Sequence, residues 1–396
     1  MAEEKIAGHP TRRLLIAAAV MAIIAVRKHD TFLNPQFWAE DGKVFFMQAE
    51  AMDWRVLFRP YEGYLHFLPR LIAAIGRGLP LYSVPVFYAA TALLFTGLIA
   101  WTIQSPRIRV PAAWAGALAI AIIPHSGEVY LTICNLHWIS AIGLFALVLM
   151  DDPATLPRRC GEIALLVIAG LTGPFVVLAL PFFGWRAWRR RNRWSYLLLA
   201  VAVAATAAHV PSLLNRPAVE IAAAWDPVNL AAVIGRRLWV SLFAGQISVS
   251  RAVSVLLAIA IPVGLGWGLW RQKSAREGWL LLAGALAVLA AASFKARIDT
   301  WNHTDLVSGG RYFFAAKVLG LWAIAALLPA GTAAGRVLGA ALLILPVAAN
   351  YSRFIYPRFP DQRWAFYAGE IKKHHPVTVP ILPDGFSFSH PGRPAR

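Results

Sequence analysis

Long uncharged apolar segments alternate with short arginine-rich segments along almost the whole chain, and this pattern constrains the fold more than any other feature. Only 15% of the 396 residues are charged, whereas soluble proteins average about a quarter. Apolar runs of this length are typical of helices that cross a bilayer, because a helix satisfies its own backbone polar groups. The sequence therefore predicts an all-α integral membrane protein.

The arginines set the expected topology, because basic residues concentrate in cytoplasmic loops. Lys5, Arg12 and Arg13 precede the first apolar run, and no small-residue cleavage site follows, which predicts an uncleaved signal anchor with a cytoplasmic N-terminus. About eleven crossings then lead to an external C-terminus. We expect one membrane domain over 1–350 with a large external first loop at 27–80, and a tail over 351–396 that packs on the outer face. The predicted spans are 14–26, 81–103, 110–124, 136–150, the paired segment 163–185, 195–214, 252–270, 278–294, 313–330 and 337–349, with external interfacial helices in 64–76 and 211–251.

The net charge of +18 is explained by cytoplasmic loops and by contacts with lipid or substrate phosphates, so nucleic acid is not expected as a partner. The two cysteines, Cys134 and Cys160, fall on opposite sides of the bilayer in this topology. A disulfide within the chain is therefore not expected.

The apolar segment 163–185 is unusual because arginine clusters flank both of its ends. Thr172, Gly173 and Pro174 break it in the middle, since glycine and proline interrupt a helix. Each arm is much shorter than the ~20 residues that a full crossing needs. The sequence therefore predicts a short broken hairpin whose tip stays below the outer surface and leaves a cavity above it.

Two adjacent acids, Glu40 and Asp41, lie among aromatic residues just after the first predicted span. Charge beside a span is costly unless it is hydrated, paired or used. A carboxylate here could act as a general base, with Asp41 first and Glu40 second, or as a metal-binding partner. The alternative is a hydrated acidic turn or a helix cap.

Three further groups fall in or beside the predicted external segments, and Lys317 of the third group lies inside the predicted span 313–330. Polar turns and an interfacial aromatic belt explain many of these residues equally well. For Arg311 and Lys317 the alternatives are phosphate binding through the guanidinium fork and ammonium, or snorkelling to the interface. The candidate sugar or acceptor contacts are Glu62, His66, Glu128, Asn135 and Trp138, and the candidate phosphate contacts are Arg311, Tyr312 and Lys317, beside Ser308, Gly309 and Gly310.

A single N-terminal span, a large first loop with an acidic pair and many later spans together resemble polytopic glycosyltransferases of the GT-C superfamily. The resemblance implies a sugar donor linked to polyprenyl phosphate and a glycan, lipid or protein acceptor. It further implies inversion at the anomeric carbon and a site at the external face of a bacterial inner membrane. It also implies that Asp41 is the catalytic base. No cofactor is required by this resemblance, and a divalent cation stays an open alternative.

Two other functions are compatible with the sequence. A transporter or flippase for a lipid-linked or anionic envelope precursor would also use basic residues and broken helices, although no internal repeat is visible. An envelope assembly factor would leave the acidic pair and the basic pair unexplained. Walker, HExxH, GxSxG and paired CxxC motifs are absent, which argues against an ATP-driven transporter and the usual hydrolases.

Overall fold

The computed structural model describes residues 10–51, 53–215, 226–295, 302–306, 309–329 and 331–392. Lys5, Ser308 and parts of the predicted segments 211–251 and 351–396 lie outside these ranges. The described chain is mostly helical. The helices are α1 Pro10–Arg27, α2 Asp30–Leu33, α3 Met47–Ala51, α4 Phe67–Gly76, α5 Val84–Ile103, α6 Ala113–Ile122, α7 Leu136–Leu149, α8 Leu156–Gly170, α9 Phe175–Arg190, α10 Arg193–Leu214, α11 Pro227–Ile234, α12 Ser241–Phe243, α13 Arg251–Arg271, α14 Trp279–Lys295, α15 Phe314–Ala326, α16 Ala333–Ala348 and α17 Trp364–Lys372.

Four helical segments of the described chain are long and apolar enough to cross a membrane: Leu81–Ile103, Arg193–Leu214, Arg251–Arg271 and Lys273–Ser293. The expected count of eleven crossings is not supported. Helices α6, α7 and α15 have 10, 14 and 13 residues. At about 1.5 Å per residue they are shorter than the ~30 Å hydrocarbon core.

The helices differ in how much of their apolar surface the protein itself covers. Every residue of α7 is buried, so this helix forms the centre of the bundle. By contrast, only 11% of the apolar window of α13 and 22% of that of α10 is buried within the protein. Exposed apolar side chains of this density fit contact with lipid tails rather than with water.

The predicted hairpin is present as α8 and α9, with residues 171–174 as its tip. Two main-chain bonds fasten this tip to the first loop, from Phe67 N–H to the Leu171 carbonyl (3.1 Å) and from Gly173 N–H to the Leu65 carbonyl (2.8 Å). The Leu68 N–H also donates to Thr172 Oγ1 (3.0 Å). The tip and the first loop therefore form one connected surface.

The bundle has two chemically different ends. Arg186, fully buried, donates to Asp152 (2.8 Å), and Asn192 donates to the same carboxylate (2.6 Å). These residues, together with the C-terminal end of α7, mark what we call the arginine-rich end. The N-terminal end of α7 and the hairpin tip lie at the other end, which we call the cavity end.

The tail differs from the predicted all-α fold, because it contains an antiparallel pair of strands, β1 Val377–Ile381 and β2 Phe386–His390. Buried Arg27 at the end of α1 holds the segment that leads to this tail. Its guanidinium donates to the Phe354 carbonyl (2.8 Å) and to the Tyr356 hydroxyl (3.1 Å). The tail thus packs on the cavity end of the bundle.

Candidate functional site

A cavity of about 660 Å³ opens at the cavity end, at the tip of the α8–α9 hairpin. Its walls come from the first loop, the turn before α7 and the first turn of α7, the hairpin tip, α14, the turn before α15 and the tail. Eight of the ten residues that the sequence marked as candidates line it: Glu40, Glu62, His66, Glu128, Asn135, Trp138, Arg311 and Tyr312. The structure therefore brings together residues that are up to 272 positions apart, from Glu40 to Tyr312.

One part of the cavity is apolar. Pro174, Phe175 and Leu178 contribute from the start of α9, and Val288 and Ala292 contribute from the last turns of α14. Leu178 and Val288 lie about one turn further along their helices toward the arginine-rich end, so this part is the deeper one. The cavity is consequently amphipathic, with a polar rim above an apolar cleft between two helices.

Glu40 carries a half-buried carboxylate on the cavity wall. It directly precedes a short π-helical turn, Asp41–Phe46. Within the part of the chain that the structure describes, its carboxylate makes no hydrogen bond or ion pair. An unpaired carboxylate in a polar cavity is free to accept a proton from a bound hydroxyl.

Asp41 points elsewhere, although the sequence made it the first candidate for the base. It is 3% exposed, and it does not line the large cavity. Its two oxygens accept from the main-chain N–H groups of Cys134 (2.8 Å) and Ile133 (3.1 Å), just before α7. Burial raises the pKa of Asp41 to about 7, although these hydrogen bonds act in the opposite direction. Asp41 thus anchors the turn before α7 to the first loop.

A second, small cavity of about 20 Å³ lies on the Asp41 side. Lys28 and Tyr88 share its wall with Asp41, and the Tyr88 hydroxyl is buried with no hydrogen-bond partner. A polar space of this size holds about one water molecule. The two adjacent acids of the first loop therefore face two separate spaces.

Arg311 and Glu128, predicted to bind phosphate and sugar separately, form an ion pair with each other. Glu128 also accepts from Ser126 Oγ (2.8 Å) and from the main-chain N–H of Arg311 (3.3 Å). The Arg311 side chain keeps 40% of its surface exposed. The pair therefore fixes the guanidinium at the cavity wall while other N–H groups of its fork stay accessible.

Lys317, which the sequence proposed as a second phosphate contact, does not line this cavity. It is 6% exposed, and its ammonium donates to the Pro124 carbonyl (2.8 Å). An ammonium buried in a helix needs such a partner, and here a carbonyl at the end of α6 supplies it. Of the two basic residues that the sequence proposed as phosphate contacts, Arg311 lines the cavity and Lys317 does not.

Asn135 and Trp138 line the cavity in different ways. The Asn135 amide nitrogen donates to the Glu128 carbonyl (2.8 Å), and its side-chain oxygen accepts no hydrogen bond from the described residues. That oxygen is suited to accept from a sugar hydroxyl. Trp138 is 5% exposed, with its rings against Phe175 (4.9 Å) and Tyr312 (5.5 Å), so little indole surface is open for stacking.

Glu62 and His66 lie on the same loop. Glu62 is exposed, with a left-handed backbone (φ 53°), whereas His66 is buried and stacks on Tyr64 at 4.5 Å. Among the described residues, no three His, Cys, Asp or Glu side chains come together in a way that could hold a metal ion. The described part of the chain therefore supplies no ligand set for the divalent cation that the sequence left open.

Two residues of the tail that the sequence did not single out also line the cavity, Pro383 and Phe386. Alternating apolar residues on both sides of Asp384 and Gly385 could have predicted a hairpin. The bonds of Leu382, next to that hairpin, with Phe37 and Ala39 have no local sequence signal.

At the arginine-rich end, a separate cavity of about 460 Å³ is lined by charges of both signs. Two of its three acids are engaged: Asp151 pairs with Arg109 (2.8 Å), and Asp152 pairs with Arg190 (3.3 Å). These ion pairs connect the loops between helices.

Comparison with known proteins adds no relative: no family model, curated protein or solved structure matches this chain.

Proposed function

We propose that this protein is a membrane glycosyltransferase of the GT-C type that takes its sugar from a polyprenyl-phosphate donor. The observation that carries the proposal is the amphipathic cavity of about 660 Å³, in which one wall offers carboxylates and an arginine and a deeper part is apolar. A lipid-linked sugar phosphate has the same division into polar and apolar parts. Its tail would lie between α9 and α14, and its phosphate would lie at Arg311.

In this proposal Glu40 is the general base, and Asp41 holds the loop that presents it. The Glu40 carboxylate takes the proton from an acceptor hydroxyl while the acceptor oxygen bonds to the anomeric carbon. The bond from that carbon to the phosphate oxygen breaks at the same time, and polyprenyl phosphate leaves with the electron pair. Arg311 stabilises the charge that develops on the phosphate. A single displacement of this kind inverts the anomeric configuration.

The acceptor in this proposal is an envelope polysaccharide, lipid or protein. The distribution of arginines favours a site on the external side of a bacterial inner membrane, since the arginine-rich end would face the cytoplasm. A flippase would also need an amphipathic cavity, but it would return the donor with its sugar still attached.

The test uses the purified protein in nanodiscs with synthetic short-chain polyprenyl-phosphate sugars. A ligand at 100 times its Kd stabilises the folded state by about 2.7 kcal/mol, so binding should raise the melting temperature. We expect a rise with at least one donor, its loss in Arg311→Ala, and its retention in Arg358→Ala, an exposed arginine that does not line the cavity. Release of polyprenyl phosphate should accompany transfer and should fail in Glu40→Gln.

Absence of stabilisation by every donor would contradict the proposal. Movement of the intact donor across vesicle membranes, without release of polyprenyl phosphate, would favour the flippase instead.

A further inference from the structure

The tail is bonded directly to the segment that carries Glu40. The Leu382 N–H donates to the Phe37 carbonyl (3.0 Å), and the Leu382 carbonyl accepts from the Ala39 N–H. Main-chain pairing therefore joins the end of β1 to the residues immediately before the candidate base. The side chains at the tip of the β1–β2 hairpin are therefore held close to the segment that carries Glu40.

The hairpin tip is also fixed from its other side. Asp384 accepts from the Gln362 side chain (2.8 Å), and the Gln362 N–H donates to Gln36 Oε1 (2.9 Å). Phe388 of β2 contacts Phe37 and Phe46, with ring centroids 6.1 and 5.8 Å apart. These contacts make the tip a defined wall of the cavity.

That wall presents an aromatic ring beside carboxylates. Phe386 lines the cavity yet is 42% exposed, and Trp38 and Tyr61 line the same cavity. Glu40 and the exposed Glu62 supply hydrogen-bond acceptors on that cavity's wall. A sugar ring fits this combination, because its C–H face packs on an aromatic ring while its hydroxyls donate to carboxylates.

A lipid acceptor would compete with the donor tail for the apolar cleft between α9 and α14, which is the extended apolar part of the cavity. A peptide acceptor would need main-chain partners. The tail lines the cavity through Pro383 and Phe386, and the Phe386 N–H already donates to the Pro383 carbonyl (3.2 Å), while proline has no N–H to offer. The aromatic wall with carboxylates therefore favours a saccharide.

We propose that the tip of the β1–β2 hairpin forms the acceptor subsite and that the acceptor is a carbohydrate whose ring lies against Phe386. This inference rests on the proposed function, because only a transferase has an acceptor. The binding of a saccharide at Phe386, however, is measurable without any donor.

The experiment measures equilibrium binding of p-nitrophenyl β-D-glucoside, β-D-galactoside and α-D-mannoside to the full-length protein in nanodiscs. The nitrophenyl group quenches tryptophan fluorescence, and free p-nitrophenol corrects for binding of the aglycone. We expect at least one glycoside to bind, Phe386→Ala to weaken it about tenfold or more, and Phe386→Trp to retain it. Phe366→Ala is the matched control, because Phe366 is 49% exposed on α17 of the same tail and does not line the cavity.

The inference is overturned if no glycoside binds better than p-nitrophenol, or if Phe386→Ala and Phe366→Ala bind the glycoside equally well. Melting temperatures of the variants identify a loss of folding, and the Trp variant keeps the test decisive if the Ala variant is unstable. Donor stabilisation is recorded separately on the same samples. If no donor stabilises the protein, the proposed transferase activity is contradicted. The measurement of saccharide binding at Phe386 stands independently of that result.

Discussion

Glu40 and Asp41 are adjacent in the chain, yet their carboxylates face two different cavities. Glu40 lines the large amphipathic cavity, and Asp41 lines the small one while it accepts from the N–H groups of Ile133 and Cys134. The two acids are therefore expected to have separable roles. In the proposed mechanism Glu40 takes the proton, whereas Asp41 positions the loop.

Replacement of Glu40 by glutamine should lower kcat by about 10²–10⁴-fold, the range for loss of a general base. The melting temperature should stay near that of the wild type, because the described residues offer Glu40 no hydrogen bond to lose. Glu62→Gln is the matched control: it removes the same charge from the same cavity and should cost less than tenfold. Equal losses in both variants would mean that the cavity needs negative potential rather than a base at position 40.

Asp41 should make the stability of the protein depend on pH. Burial raises its pKa from 3.8 to about 7 in the folded state, so the folded protein holds this proton more tightly than the unfolded chain does. The stabilisation is fully present below pH 3.8 and is lost as pH rises to about 7. Its size is about 4 kcal/mol, at 1.36 kcal/mol for each pKa unit.

The measurement is the melting temperature in detergent between pH 4 and 8, for the wild type and Asp41→Asn. The wild type should lose stability toward pH 7 relative to the variant, which has no proton to release at this position. Parallel curves for the two proteins would show that Asp41 titrates near its ordinary pKa.

For the Arg311–Glu128 pair, the test is whether Glu128→Gln raises or lowers the donor Kd. By charge alone, Glu128→Gln should tighten the binding of a phosphate donor, since it removes a negative charge beside Arg311. If the carboxylate instead positions the guanidinium, the variant should raise the donor Kd by about 5–10-fold, or roughly 1–1.4 kcal/mol. We expect the weaker binding, because Ser126 and the Arg311 main chain hold Glu128 in place.

Donor titrations of Glu128→Gln, Arg311→Ala and the double variant give the coupling between the two side chains. A positioning role requires that Glu128→Gln has little effect once Arg311 is absent. Tighter donor binding by Glu128→Gln would instead identify Glu128 as a competitor of the phosphate.

Much of the architecture could be predicted from the sequence, because apolar runs and the arginines that flank them can be recognised from neighbouring residues alone. The break at Thr172, Gly173 and Pro174 predicted a hairpin tip with a cavity, and the cavity lies there. Most of the polar candidate residues also line this one cavity. Charged and amide side chains are costly among apolar helices, so they gather where a polar cavity is present. The expected eleven crossings are not supported: the described residues contain four helical segments long and apolar enough to cross a membrane. Apolar composition alone does not reveal helix length.

The direction of individual side chains could not be predicted. Whether Glu40 or Asp41 faces the cavity depends on bonds to Ile133 and Cys134, more than 90 positions away. Lys317 turns to the Pro124 carbonyl, 193 positions away. The tail hairpin reaches the site through Leu382, which bonds to Phe37 and Ala39 of the first loop. These contacts are fixed by the folded chain as a whole, and a local pattern carries no trace of them.

The hairpin tip offers the sharpest stability test, because only glycine fits at position 173. Gly173 has φ +86°, and an added Cβ would lie 2.4 Å from His137 Cβ, far inside contact distance. Both the backbone strain and the clash oppose Gly173→Ala, so we expect a loss of about 2–4 kcal/mol of stability. The same shift would move Thr172 and Pro174 and so disturb the cavity wall.

Gly161 in α8 and Gly184 in α9 are matched controls on the same hairpin. An added Cβ at either position meets nothing within 4 Å, and both lie inside helices. Alanine there should leave stability unchanged or raise it by up to about 1 kcal/mol, because alanine is the better helix former. Melting temperatures of the three single variants give the comparison. If Gly173→Ala has the same melting temperature as the two controls, the hairpin tip accommodates the added Cβ without cost. The cavity wall is then not held in the geometry on which the proposed site depends.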